Sequence, residues 1–90
     1  MPVKVLVMKG DSKVLITKIR EVAADIGEPD CELTDPVEFT VGKEDWKDRL
    51  QRWPGKGVTT QNKCKISSDA ILTIVDPESE LLSEYLKVIE

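Results

Sequence analysis

The 90-residue sequence contains no histidine, only two cysteines, and only four aromatic residues: Phe39, Trp46, Trp53 and Tyr85. Without histidine, the side chain best suited to proton transfer near neutrality is missing, and so is the commonest metal ligand. Cys31 and Cys64 cannot build a disulfide framework, and they lack the clustered ligands of a zinc site. Both fall in expected strands, where a free thiol packs as a small hydrophobe. The carboxylates are scattered over turns and a helix start, which is the pattern of solvated charge. No enzymatic activity, cofactor or metal is therefore expected. With so few aromatics, the core must be built from Val, Ile and Leu. No apolar run approaches the ~20 residues of a membrane span. Met1-Pro2 leads directly into a short apolar alternation that already contains Lys4. A soluble, cytoplasmic chain with no membrane partner is expected.

Charged residues make up 33% of the chain and apolar residues 40%, which is globular composition. The length suits one domain. A chain this short buries only about 60–65% of its unfolded surface and often gains stability by self-association. The net charge is −4, but it is unevenly spread. Residues 43–65 carry Lys43, Lys47, Arg49, Arg52, Lys56, Lys63 and Lys65 against Glu44, Asp45 and Asp48. The flanking segments are both acidic. An acidic chain with one basic segment can offer a local surface to a polyanion, but it is not a general nucleic-acid coat.

The periodicity is mostly that of strands. Val3, Val5 and Val7 alternate with Lys4, Leu6 and Met8 over a strand at about 3–9, and Lys9-Gly10-Asp11-Ser12 is a turn. A second strand spans about 13–26. Its parity slips between Ile16 and Ile19, which implies a bulge or bend. A helix over Ile16 to Ile26 is the alternative, since Ile16, Ile19, Arg20 and Ala23 recur at helical spacing. Gly27-Glu28-Pro29-Asp30 is a second turn. In the third strand, about 31–41, Leu33, Val37, Phe39 and Val41 share one parity. Asp35 falls on that same apolar parity and Pro36 cannot donate to a ladder, so a break is expected there.

Residues 42–58 read as a long loop with both tryptophans. A short helix over Glu44 to Arg52 is the alternative, with Trp46, Leu50 and Trp53 on one face. A fourth strand is expected at about 59–66. Residues 70–75 form a nearly continuous apolar run, the pattern of a central strand. Asp76 then suits an N-cap and Pro77 the first helical position of a helix at about 77–89. Its apolar stripe is Leu81, Leu82, Tyr85, Leu86 and Ile89. Such a stripe covers one opening of a small barrel, or docks a partner.

Three segments carry a likeness to a known family. They are Val5-Leu6-Val7-Met8-Lys9-Gly10-Asp11 with Val14 to Ile19, Leu33-Thr34-Asp35-Pro36-Val37, and Lys65 to Ile74. The chain resembles the Sm-like family, which includes LSm proteins and bacterial Hfq, and in particular its divergent members in marine cyanophages. Asp76-Pro77 to Tyr85 resembles the C-terminal extension of those members. The resemblance implies a mainly β, five-stranded, strongly bent open barrel with a C-terminal helix, over a single domain of residues 1–90. It also implies a homo-oligomeric ring in which the fourth strand of one subunit joins the fifth of the next, in a bacterial or infected host cell. Cys64, Ile66, Ile71 and Thr73 are the interface residues expected on those strands. The family's base-binding loops have no counterpart here. Ala24 to Asp30 holds neither Asn nor an aromatic, and Ser67-Ser68-Asp69 stands where an Arg-Gly step is usual.

Single-stranded RNA is the expected further partner, carried by the basic segment. Lys and Arg contact phosphates and aromatic faces stack on unpaired bases. Lys47, Arg49, Arg52, Trp53, Lys56, Lys63 and Lys65 combine both kinds. Two plainer readings stand beside this one. Trp46 and Trp53 cap the open barrel, and Lys63 and Lys65 pair with acidic residues of a neighbouring subunit. A protein-interaction or assembly module with no nucleic-acid role is the alternative function.

Overall fold

The protein is mainly β: an antiparallel sheet of six strands with a short C-terminal helix. A computed structural model describes residues 2–55 and 57–90. The strands are β1 (Val3–Met8), β2 (Val14–Glu21), β3 (Cys31–Phe39), β4 (Leu50–Arg52), β5 (Lys63–Ile66) and β6 (Ile71–Val75), with helices α1 (Trp46–Arg49) and α2 (Ser79–Ile89). The order across the sheet is β4-β3-β2-β1-β6, and β5 also pairs with β3. β4 lies along Val37–Phe39 and β5 along Cys31–Thr34. Together they form one interrupted edge strand, from which the described residues of 53–55 and 57–62 loop out. The interruption makes six strands where five were expected. The sheet is open, because β6 at one edge does not bond to β4 or β5 at the other.

Alternation along the strands sends side chains to two apolar clusters. Val5, Ile16, Val37, Leu50 and Tyr85 make the first, and Leu6, Leu15 and Leu33 make the second. Each fully buried Leu or Ile contributes about 1.5–3 kcal/mol relative to exposure. α2 lays Leu81, Leu82, Val88 and Ile89 on the first cluster with Tyr85 at its centre. Leu86, expected in that stripe, is turned out and 41% exposed.

Leu33 and Val37 share parity but lie in opposite clusters. The reason is a bulge. Between the Ile16–Val37 and Lys18–Thr34 pairs, β2 advances two residues and β3 three. Asp35 takes the left-handed conformation at φ 52°, as the extra residue of such a bulge can. Pro36, which has no N–H to donate to a ladder, falls at this point, so the break expected near Asp35-Pro36 is where the sheet bends.

Other expectations are corrected. β2 ends at Glu21, and Val14–Glu21 is strand, not helix. β5 starts at Lys63, because Thr59 to Asn62 belong to the looped segment. The helix of the 42–58 segment is only Trp46–Arg49. Leu50 turns extended to pair with Phe39, so Trp46 packs on the first cluster while Trp53 packs on the second. The apolar run of β6 is not central but lies at an edge. Asp76 does not cap α2. Its carboxylate is held by the Lys4 ammonium, and the N-cap is Glu78, without a side-chain hydrogen bond.

Candidate functional site

The bulge in β3 also holds the looped segment closed. The Asp35 N–H donates to the Asn62 carbonyl at 2.7 Å, and the Trp53 N–H donates to the Pro36 carbonyl at 3.0 Å. Consecutive residues of one bend thus clip both ends of the 53–62 loop. Between loop and bend lies a groove of about 770 Å³, lined by Pro36, Gln51, Arg52, Trp53, Thr60 and Asn62 among others.

Asp35 is the polar centre beside it. Its carboxylate accepts from Arg52 Nη1 at 3.0 Å and from Asn62 Nδ2 at 3.3 Å, with Lys18 Nζ at 3.6 Å. Its backbone carbonyl accepts the Tyr85 hydroxyl at 2.8 Å. Partial burial pushes the Asp35 carboxyl up, but the Arg52 and Asn62 hydrogen bonds and the Lys18 charge outweigh it and hold the group below the usual range. Burial, with the Asp35 charge, pushes the Tyr85 phenol up to about 12. Burial also raises both thiols, at Cys31 and Cys64. A guanidinium held by a carboxylate, with neutral amides, hydroxyls and an indole nearby, suits binding of a polar planar group.

The six described cationic and aromatic candidates lie on different elements: α1, β4, the loop that follows β4, and β5. Arg52 and Trp53 line the groove, with Trp53 also packed on the second cluster. Lys47 is exposed on α1. Arg49 sits with its guanidinium carbon 4.8 Å from the Trp46 ring centre, and its Nε donates to the Lys43 carbonyl. Lys63 and Lys65 are exposed on β5 opposite Thr34 and Glu32. The Arg20 hydrogen bond, helped by the Lys63 and Lys65 charges, holds the Glu32 carboxyl low. Lys56 lies outside the described residues. Of the interface candidates, Cys64, Ile66 and Ile71 are half-buried against the chain's own second cluster, and Thr73 is exposed. β6 instead leaves Leu72, Ile74 and Val75 exposed, at 62%, 49% and 48%.

Sequence reasoning passed over Asp35, Gln51 and Asn62 as contributors to this site. Asp35 carried a signal, since it broke the apolar parity of its strand. Gln51 and Asn62 carried none, because they meet only through the pairing of β4 and β5 with β3.

Among the described residues, no helix is long and apolar enough to cross a membrane. The open six-stranded sheet with one covering helix defines a small β module with a groove at its bend. Over residues 1–90 the chain matches, and belongs to, a family of unknown function (DUF6561). No curated protein matches it.

Proposed function

We propose that the chain assembles into a homo-oligomeric, Sm-like ring in the cytoplasm and that the ring binds single-stranded RNA. The observation that carries this reading is the edge at β6, which among the described residues pairs with β1 alone, with Leu72, Ile74 and Val75 exposed on one strand. An open apolar edge is a template for further pairing and is normally covered. β5 lies along the opposite edge of the same sheet. Pairing β5 of one copy with β6 of the next covers both edges at once. Such head-to-tail contacts close into a ring when the rotation per subunit allows it. Lys47, Lys63 and Lys65 supply exposed cations for phosphates, and Arg52 and Trp53 supply a groove for a base.

Light scattering with and without nuclease, followed by fluorescence titration with oligo-U and oligo-A at low salt, tests both halves. The expected result is a multiple of the chain mass and micromolar or tighter binding that weakens steeply with salt. A monomer at high concentration rejects the ring. An intact ring that binds no oligomer rejects the RNA half and leaves an assembly module. The net charge of −4 and the neutralisation of Arg52 by Asp35 favour that second reading.

A further inference from the structure

We infer that the groove between the β3 bend and the 53–62 loop receives one unpaired nucleobase, stacked on Trp53 and contacted at its edge by the amide of Gln61. The inference rests on the RNA-binding reading and names what this groove recognises. The groove is lined by an indole, two prolines, the amides of Gln51, Gln61 and Asn62, and the hydroxyls of Thr59 and Thr60. An indole offers a flat apolar surface, and every base has a face that can stack on it. Amides carry donors and acceptors that match the edge of an unpaired base. Among the described residues, the side chains of Gln51, Thr60 and Gln61 form no hydrogen bond within the chain, and all three are exposed.

Charge separates a base from a phosphate as the occupant. Among the described residues, the only cation lining the groove is Arg52, and its guanidinium is held at 3.0 Å by the Asp35 carboxylate. The described lining is therefore close to neutral and offers a phosphate no free cation. The loop wall runs directly into β5, whose Lys63 and Lys65 are exposed. A neutral aromatic interior beside cationic residues matches a nucleotide, with the base inside and the phosphate outside. A saccharide would also stack on an indole and bond to amides, but it makes no use of the cations.

The test uses the full chain carrying Trp46→Phe, so that Trp53 is the only indole. Short oligoadenylate and an abasic ribose-phosphate chain of equal length are titrated at low and high salt. The expected result is quenching of Trp53 by oligoadenylate and at least about fivefold tighter binding than the abasic chain, the lower end for one stacked base. Both affinities fall with salt while their ratio holds, because only the phosphate contacts release counterions. Gln61→Ala lowers the ratio without changing thermal stability. Equal affinity for the two chains overturns this inference but leaves RNA binding standing. Binding of neither chain overturns both. Quenching by a neutral oligosaccharide, with no preference for the base-bearing chain, assigns the groove to sugars instead.

Discussion

The phenol of Tyr85 donates to the backbone carbonyl of Asp35 across 50 residues of sequence, tying the C-terminal helix to the bend of β3. Tyr85 is fully buried, and Asp35 is the left-handed residue on which the bulge turns. Replacing Tyr85 with Phe leaves that carbonyl without its partner. We expect a loss of about 1–2 kcal/mol in urea unfolding. Tyr85→Ala should cost about 3–5 kcal/mol, since it also empties the centre of the first cluster. Leu86→Ser, on the exposed side of the same helix, should change stability by less than about 0.5 kcal/mol. Equal losses for Tyr85→Phe and Leu86→Ser would count against the tie.

The same pair contributes to both limbs of the pH profile. Asp35 is held below its unfolded value, so its ionised form favours the folded state. That stability is complete above the unfolded pKa of about 3.9 and drains away as pH falls through the lower folded value. Tyr85 is raised to about 12, so its neutral form favours the folded state. That contribution is complete below an unfolded pKa of about 10 and is lost as pH climbs towards the folded value. Unfolding curves across pH should show Asp35→Asn flattening the acid limb and Tyr85→Phe flattening the alkaline one. An acid limb unchanged in Asp35→Asn would assign it to the other low carboxyls, Asp30 and Glu32.

Two buried threonines beside the bend should respond oppositely to the same substitution. The Thr17 hydroxyl lies 2.9 Å from the Lys18 carbonyl and 3.1 Å from the Thr34 carbonyl. The Thr34 hydroxyl oxygen is buried with no partner among the described residues. Thr17→Val removes a satisfied donor and should cost about 1 kcal/mol. Thr34→Val removes an unsatisfied group from the interior and should be neutral or stabilising by about 1 kcal/mol. Thermal melts of the two variants decide it. A Thr34→Val protein less stable than Thr17→Val would mean that the Thr34 hydroxyl has a partner after all.

Much of this architecture could be read from alternation. Val3 to Met8 lies close to the strand expected at about 3–9, Val14 to Glu21 fills only the first part of the strand expected at about 13–26, and the defect at Asp35-Pro36 marked the bend because a charge and a proline interrupted an apolar parity. The split of the edge strand could not be read. Leu50 to Arg52 is too short to show a period, and its pairing with Val37 to Phe39 is decided by contacts distant in sequence. The groove was hidden for the same reason, since Arg52 and Asn62 meet only through Asp35. Asp76 was misread as a cap because local propensity says nothing of Lys4, which comes from the other end of the chain and holds its carboxylate.

β6 provides the sharpest test of assembly. A run as apolar as Ala70 to Val75 belongs in an interior, yet within one chain Leu72 and Ile74 are 62% and 49% exposed. Their contribution to the isolated fold is therefore small, whereas a paired edge would bury them. Lysine at either position places a charge on that edge, a common device for keeping strands from pairing. Leu72→Lys and Ile74→Lys should each lower the solution mass to that of one chain while leaving the far-ultraviolet circular dichroism of the sheet intact. The monomers should also bind oligo-U more weakly, because a ring offers several sites to one strand at high effective concentration. An unchanged mass in both variants would place any self-association elsewhere on the molecule. A variant that unfolds as it loses mass would show that the edge contributes to the fold itself, and the milder Leu72→Thr then separates the two effects.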